Sequence, residues 1–229
     1  ILASLAFGIP LQFDRCYTEG ISRIEPQDVT YAEQFGYRIK HLGVTRRTDK
    51  GVELRVHPTL IPERRLIANV DGVMNAVLVH GDAVGPTMYY GAGAGSLPTA
   101  SAVVADIIDV ARALTTDPEN RVLHLAFQPG ELADTPVLPM DDVVTAYYLR
   151  MTVVDRPGVL AAVAGILSEH GISIDAMQQK EPDSAESQVP LVMLTHAVRE
   201  SQMNAAQAEI ERLDSVAGEV RRIRVEQLK

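Results

Sequence analysis

A chain of 229 residues, of which 46% are hydrophobic and 22% are charged, is long enough to bury a sizeable core, and we expect two domains. A formal net charge of −9 without a basic stripe argues against nucleic acid as a partner, and the lack of a long uncharged apolar run argues against a membrane span. A single cysteine excludes an internal disulfide, and the six histidines lack the close spacing of a zinc site. The sequence therefore predicts a cytoplasmic protein without a metal centre.

The first stretch, residues 1–88, mixes helical and extended patterns. It opens on the end of a helix that Gly8 and Pro10 terminate, and the start without a methionine predicts that this helix is cut from a longer chain. Alternating apolar and polar residues on both sides of the turn at 49–51 predict a β-hairpin. The predicted elements after the first helix are a helix at 26–36, strands at 37–48 and 52–61, and a strand at 73–81 that is covered on both faces.

The second stretch, residues 89–114, is a glycine-rich loop followed by an amphipathic helix. Gly91, Gly93 and Gly95 alternate directly before the helical pattern, and Pro98 suits its first turn. A dinucleotide-binding fingerprint ends the first strand of a βαβ unit and is followed by a second strand, which this spacing does not match. Four prolines and the acidic run MDDV instead mark residues 115–145 as a linker.

The third stretch, residues 146–229, has the clearest periodicity. Its pattern predicts strand, helix, two strands, helix and strand, which is the split ferredoxin-like βαββαβ unit. The arginines of the last strand alternate with apolar residues. We interpret Arg221, Arg222 and Arg224 as the solvated face of that strand or, alternatively, as partners for acids of a second subunit.

Three further polar residues are assigned from their local pattern. Glu19 is interpreted either as part of a functional loop or, more simply, as a solvated loop acid. Asn75 lies on a predicted buried strand, where its amide needs hydrogen-bond partners. His57 is interpreted as a strand or loop histidine whose hydrogen bonds are satisfied.

The segment VVDRPGVLAAVAGILSEHGISIDAMQQ, which begins at Val153, resembles the opening of an ACT domain in spacing and residue choice. The resemblance covers residues 147–227. ACT domains are small βαββαβ modules that pair edge to edge and bind amino acids or similar effectors at the pairing seam. The resemblance implies an effector site at Asp155, Pro157, Gly158, Val159 and Leu160.

A physical argument supports a site at this turn. A helix that starts there leaves backbone N–H groups that a ligand carboxylate can accept, and Gly158 allows a close approach of the backbone. Asp155 is placed either to cap the helix or to meet a ligand ammonium. The alternative is that Asp155 is only an N-cap and that Gly158 only relieves crowding.

Four pieces in co-linear order, ILASLAFGIPL, TEGISRI, ANVDGVMNAVLVHGDAVG and YYGAGAGSLPTASAVVADIID, resemble the C-terminal half of the catalytic portion of homoserine dehydrogenase. The resemblance implies an α/β and α+β chain. In the implied fold, a mixed-sheet domain for substrate binding and dimerisation comes first. The chain then returns to a Rossmann-type cofactor domain and contributes its last helix, and a ferredoxin-like ACT domain follows. The implied catalytic part is residues 1–114, of which 1–88 form the substrate and dimerisation region and 89–114 form the segment that returns to the cofactor domain. Residues 115–145 are the linker, and residues 146–229 are the regulatory ACT domain.

The same resemblance implies a function. Members of this family interconvert aspartate semialdehyde and homoserine with NADP or NAD, and the ACT domain is expected to sense an end product, most plausibly threonine. The family's catalytic lysine and acids are expected upstream of Ile1, so no catalytic residue is assigned in this chain, which by itself should bind little cofactor and catalyse nothing. A homodimer or homotetramer is expected.

The glycine loop is expected near the nicotinamide end of the cofactor, with Gly91, Gly93, Ala94 and Gly95 as the contact residues. Three alternatives stay open. The first is that the loop is a tight packed turn without a ligand, and the second is that the glycines form a complete mononucleotide site. The third is that the whole chain is a non-catalytic module for amino-acid sensing or dimerisation.

Overall fold

The computed structural model describes residues 1–116, 127, 129–179 and 188–228. The chain forms two compact units. Unit 1 comprises Ile1–Gly8 and Arg64–Ala133, and unit 2 comprises Ile9–Glu63 and Asp134–Lys229. This grouping differs from the predicted division into 1–114 and 146–229, because residues 9–63 belong to the same compact unit as the ACT-like segment. The predicted family boundaries stay a prediction, and residues 117–126 and 128 of the predicted linker lie outside the described residues.

The secondary structure follows the predicted order for the first hairpin and the βαββαβ unit. The region after residue 81 differs, because residues 85–92 form a strand that was not predicted, and Gly91 of the predicted glycine loop lies on this strand, opposite Asn75. The helices are α1 Leu2–Phe7, α2 Pro26–Gln34, α3 Ser96–Leu114, α4 Val159–Glu169 and α5 Glu200–Ile210. The strands are β1 Tyr17–Thr18, β2 Tyr37–Thr48, β3 Gly51–Pro62, β4 Met74–Gly81, β5 Gly85–Ala92, β6 Val144–Val154, β7 Ile174–Gln179, β8 Gln188–Thr195, β9 Val198–Arg199 and β10 Val216–Val225.

Local chemistry explains where α1 and α2 begin or end. Gly8 ends α1 in the left-handed conformation, with φ 61°, which costs glycine little. Helix α2 begins with a capping box in which the Glu25 and Asp28 side chains each accept a hydrogen bond from the other residue's backbone N–H group. Pro26 occupies the first turn, where its missing N–H group costs nothing.

Unit 2 is built on one eight-stranded mixed sheet. Its main path is β1-β3-β10-β6-β8-β7, β2 pairs with β3 over twelve residue pairs, and β9 pairs with β6. The strands of the βαββαβ unit are antiparallel to their neighbours. Strand β3 joins this sheet in parallel with β10, through Arg224 opposite Thr59 and Val225 opposite Leu60. The hairpin of β2 and β3 therefore extends the sheet of the βαββαβ unit, which runs from β6 to β10 and is called the C-terminal module below.

Both faces of this sheet are covered. On one face, α4 and α5 pack on alternate residues of β6, among them Tyr147 and Leu149, to form the larger apolar core. On the other face, Tyr31 and Ala32 of α2 pack against Tyr148 and its neighbours in a second core. The sheet is thus the middle layer of a three-layer unit.

Unit 1 contains the antiparallel pair β4 and β5 and the 19-residue helix α3. The prediction that the strand at 73–81 is covered on both faces is wrong, because the Val77 and Val79 side chains are 44% and 45% exposed. None of the residues of α3 is buried by the part of the chain that the structure describes. Within that same part, no helix is long and apolar enough to cross a membrane, and no group of three or more His, Cys, Asp or Glu side chains is placed to hold a metal ion.

Candidate effector site and cofactor loop

A cavity of about 400 Å³ lies beside the turn that joins β6 to α4. All five residues predicted for the effector site line it, and the remaining lining residues include Leu191 of β8 and Gln179 at the end of β7. The predicted residues are therefore brought together around one space, although binding of an effector there stays a prediction. The five are Asp155, Pro157, Gly158, Val159 and Leu160.

The start of α4 differs in one respect from the expectation. Gly158, with φ 93°, is the N-cap, and among the described residues no side chain makes a capping hydrogen bond. The interpretation of Asp155 as the cap is therefore wrong. Its Oδ1 instead accepts a hydrogen bond from Gln179 Nε2 at 3.4 Å.

This geometry suits a small amino acid. The first N–H groups of a helix have no intrahelical acceptor, and here no side chain satisfies them, so a ligand carboxylate is favoured at this end. Asp155 is exposed and offers a carboxylate for a ligand ammonium. Val153 and Leu191 supply buried apolar surface at the same cavity.

The three glycines of the second predicted site have three different structural situations. A Cβ atom on Gly93 would lie 1.8 Å from Asn75 Nδ2, so Gly93 permits a close approach. Gly95 is the N-cap of α3 and has φ 128°, a conformation that L side chains rarely adopt. A Cβ atom on Gly91 would meet no atom of the described residues within 4 Å. Packing accounts for Gly93 and backbone conformation for Gly95, whereas neither requires a glycine at position 91.

Asn75 is not buried as predicted. It is exposed, and its Nδ2 group donates to the carbonyl oxygen of Val73 at 3.4 Å. The backbone N–H group of Gly93 donates to the same carbonyl oxygen at 3.0 Å. Asn75 and Gly93 thus help to join the loop to the start of β4.

Sequence reasoning missed the buried arginine clusters of unit 2. Arg224 is only 2% exposed, so the interpretation of its side chain as solvated is wrong, and its acid partners come from the same chain. Its Nε group donates to Glu200 Oε2 at 3.0 Å and its Nη1 group to Glu19 Oε2 at 2.7 Å. The guanidinium also lies over the Tyr17 ring, 4.8 Å from the ring centroid. This cluster joins β1 and the residue that follows it to the C-terminal strand.

Glu19 is therefore not a solvated loop acid. Burial alone would raise the pKa of its carboxyl group, but hydrogen bonds from Arg224 and from the Tyr17 hydroxyl hold that pKa below its usual value. Burial likewise acts to raise the pKa of Glu200, and hydrogen bonds and charge from Arg224 lower it overall. Both acids are ionised at neutral pH.

A second cluster joins β6 to α2. Arg150 Nε donates to Asp28 Oδ1 at 2.6 Å, and Nη2 donates to Glu25 Oε2 at 2.7 Å. Tyr148 donates its hydroxyl hydrogen to the same Asp28 oxygen at 3.0 Å. Burial and the neighbouring Asp28 charge raise the pKa of Tyr148 well above its usual range, so the phenol stays protonated.

A third cluster joins β3 to the residue after β10. Arg55 Nη2 donates to Glu226 Oε1 at 2.5 Å and to Glu53 Oε2 at 3.2 Å. Arg55 Nη1 lies 2.8 Å from His57 Nε2, and His57 Nδ1 lies 3.0 Å from the Pro58 carbonyl oxygen. Since arginine can only donate, the neutral ring carries its proton on Nδ1. Burial first, and then the charges of Arg224 and Arg55, lower the pKa of His57 to about 4, and its hydrogen bonds are satisfied as predicted.

Comparison with known proteins agrees with both resemblances. A family model described as homoserine dehydrogenase matches residues 1–108, and a model described as ACT domain matches residues 147–215. A curated homoserine dehydrogenase from Pseudomonas aeruginosa is 64% identical over 228 residues, which span 100% of this chain and 52% of that protein. The chain belongs to the homoserine dehydrogenase family.

Other relatives give the same result. The homoserine dehydrogenase of Neisseria gonorrhoeae is 54% identical over 231 residues, which cover 100% of this chain and 52% of that protein. The crystal structure of a homoserine dehydrogenase from Thiobacillus denitrificans is 65% identical, with a TM-score of 0.92, and the match covers 100% of this chain and 51% of that chain. The chain therefore spans about half the length of the relatives it matches.

Proposed function

We propose that the chain forms part of a homoserine dehydrogenase, which interconverts L-aspartate 4-semialdehyde and L-homoserine with NADP or NAD as the hydride carrier. The observation that carries the proposal is the similarity to the Pseudomonas aeruginosa enzyme, at 64% identity along the whole of this chain. Homoserine dehydrogenases are NAD(P)-dependent, and the choice between the two nucleotides belongs to the proposal.

In this proposal, the glycine loop lies against the nicotinamide end of the cofactor. Its contact residues are Gly91, Gly93, Ala94 and Gly95. All four are exposed, and a side chain at Gly91 would meet nothing in the described part of the chain. Three glycines and one alanine leave the backbone exposed, so that a ligand can approach it closely, which supports this role.

The ACT domain is proposed to bind threonine in the cavity beside Gly158 and to regulate the enzyme. The helix N-terminus suits the carboxylate, Asp155 suits the ammonium, and the cavity of about 400 Å³ is large enough for a small amino acid. Deleting residues 146–229 would be a poor test of this role. The deletion would take β10 away from β3 and Glu226 away from Arg55, so it would damage residues 9–63 as well.

The activity is tested with the full-length protein, by following reduction of NADP⁺ and then of NAD⁺ in the presence of L-homoserine. Turnover with either nucleotide supports the proposal, and the ratio of the two kcat/KM values assigns the cofactor. Light scattering of the same sample tests the proposed homodimer or homotetramer. Absence of turnover in a folded protein that still binds threonine would favour a non-catalytic sensing or dimerisation module instead.

A further inference from the structure

Unit 2 contains a second cavity, of about 340 Å³, that is separate from the one beside Gly158. One wall comes from the segment between β1 and α2, including Glu19, Arg23 and Ile24. The other wall comes from β10, including Val220 and Ile223. Its volume is at the lower end of the range for small-molecule sites, which suits a ligand of few atoms.

An ionised acid lies at one side of this cavity. Glu19 is half-buried, and the hydrogen bonds from the Tyr17 hydroxyl and from Arg224 both end on its Oε2 atom, at 2.8 and 2.7 Å. Within the described residues, the Oε1 atom accepts no side-chain hydrogen bond and so keeps its capacity to accept one. A ligand ammonium is the complementary group for a carboxylate oxygen in this position.

A cation lies in the same lining. Arg23 is exposed, and no hydrogen bond or ion pair joins its guanidinium to another described residue. Two other arginines line the cavity and are by contrast engaged. Arg222 donates to Asn204 at 2.6 Å and pairs with Glu200 at 3.1 Å. Arg221 donates to Glu219 at 3.2 Å and to Glu25 at 3.3 Å. Of the arginines that line the cavity, Arg23 is therefore the one whose guanidinium N–H donors are all available within the described residues. A carboxylate can accept two of these hydrogen bonds at once.

The rest of the lining is mixed: it comprises the polar residues Tyr17, Asp28, Gln207, Arg221 and Arg222 and the apolar residues Ile24, Val220 and Ile223. Val220 packs in the larger core on one face of the sheet, whereas Ile24 and Ile223 belong to the second core on the other face. Ile24, which is half-buried, and Ile223, which is 3% exposed, therefore form the apolar side of the cavity. An aliphatic side chain is favoured against such surface, because it is removed from water there. An acid, a base and an apolar patch around one small space are complementary to the three parts of an α-amino acid.

We propose that this second cavity binds an aliphatic L-amino acid as its zwitterion, with the ammonium at Glu19, the carboxylate at Arg23 and the side chain against Ile24 and Ile223. The ligand contacts both the early segment of the chain and the last strand. Its binding therefore stabilises their association in unit 2. The site is independent of the cavity beside Gly158.

The test is calorimetric titration of the full-length protein with L-valine. Arg23→Gln removes an exposed side chain, so the fold is retained, and loss of its charged hydrogen bonds weakens valine binding at least about tenfold. Arg64→Gln, at another exposed arginine, is the matched control and leaves binding unchanged. Isovalerate lacks the ammonium and isobutylamine lacks the carboxylate, and each binds at least about tenfold more weakly than valine.

A further variant separates the two cavities. Asp155→Ala alters the cavity beside Gly158 and leaves valine affinity unchanged if valine binds where proposed. Retention of valine binding in Arg23→Gln together with its loss in Asp155→Ala would place the ligand in the other cavity and overturn the proposal. Absence of valine binding to the unaltered protein, or equal binding of isovalerate, would overturn it as well.

Discussion

The two compact units of this chain differ most in what covers their apolar surface. In unit 2, α4 and α5 cover one face of the mixed sheet and α2 covers the other, so both cores are closed within the chain. In unit 1, α3 buries none of its residues against the described part of the chain, and its Val103 and Ile107 side chains are 52% and 62% exposed. The helices of both units were predicted from the same kind of hydrophobic periodicity. Such periodicity indicates that a helix has an apolar face, but it does not indicate what covers that face.

The units also differ in how they use charge. In unit 2, Arg55, Arg150 and Arg224 are nearly inaccessible, and each forms an ion pair between residues 9–63 and the C-terminal module. The acid is buried for Arg55 and Arg150 and half-buried for Arg224. In unit 1, the pair Arg112 and Asp109 is exposed, with 3.9 Å between its charged groups. Buried pairs are costly to break, whereas exposed pairs contribute little. Unit 2 is therefore expected to unfold as one body.

The largest effect is expected from Arg224→Met. The substitution removes the cation of the half-buried Glu19 and leaves the buried Glu200 with Arg222 as its remaining cation, and the free energy of unfolding should fall by about 3 kcal/mol, the lower end for a broken buried pair. Urea denaturation measures the change. Arg112→Met in unit 1 is the matched control and should stay within about 0.5 kcal/mol of the original chain. Equal effects of the two variants would remove the contrast between the units.

An effect of at most this size is expected from pH, through His57. Its pKa is lowered from 6.5 to about 4, so between those pH values the unfolded chain binds a proton that the folded chain does not. Stability should therefore fall as the pH drops from 6.5 to about 4, by about 3 kcal/mol in order of magnitude, and this contribution should be constant above pH 6.5. Urea midpoints across this range measure it. A His57→Gln chain should have a flatter profile, and an unchanged slope would contradict the assignment.

The smallest effects are expected in the glycine loop of unit 1. Gly93→Ala requires the exposed Asn75 side chain to move, and we expect a local loss of about 1 kcal/mol in hydrogen-exchange protection of β4 and β5. An additional Asn75→Ala substitution should remove most of that loss. Gly91→Ala should leave protection unchanged, because its Cβ atom meets nothing within 4 Å in the part of the chain that the structure describes.

The Gly91 variant also separates packing from cofactor binding. If the loop lies against the cofactor, Gly91→Ala should raise the Kd for NADPH in the full-length protein without altering local protection. An unchanged Kd would favour the tight-turn interpretation of the loop.

Elements with local signals were predicted well from the sequence. The hairpin of β2 and β3 follows from alternation around a short turn, and the βαββαβ order follows from periods that switch between two and 3.6 residues. The residues around Gly158 were assigned through the resemblance to the opening of an ACT domain, which a short run of residues carries. Each of these signals lies within one short segment of the chain.

The missed features depend on pairs that are far apart in sequence. Arg55 and Glu226 are 171 positions apart, and nothing local indicates that β3 and β10 are neighbours. Alternation was read as one apolar and one solvated face, whereas β3 buries Glu53, Arg55 and His57. The sequence did contain a signal for this burial. Strand β3 and the end of β10 each place acidic and basic residues at alternate positions, and two such strands are candidates to pair and to bury their charges against each other.

The central claim is that the cavity at the start of α4 is the effector site of the enzyme. The most direct test titrates full-length protein with L-threonine while homoserine oxidation is followed, in the original protein, in Asp155→Ala and in Asp214→Ala, which alters another exposed aspartate of the same module. We predict equal uninhibited turnover in all three. The half-inhibiting threonine concentration should rise at least about tenfold in Asp155→Ala alone. Unchanged threonine sensitivity in Asp155→Ala would contradict the assignment of the site.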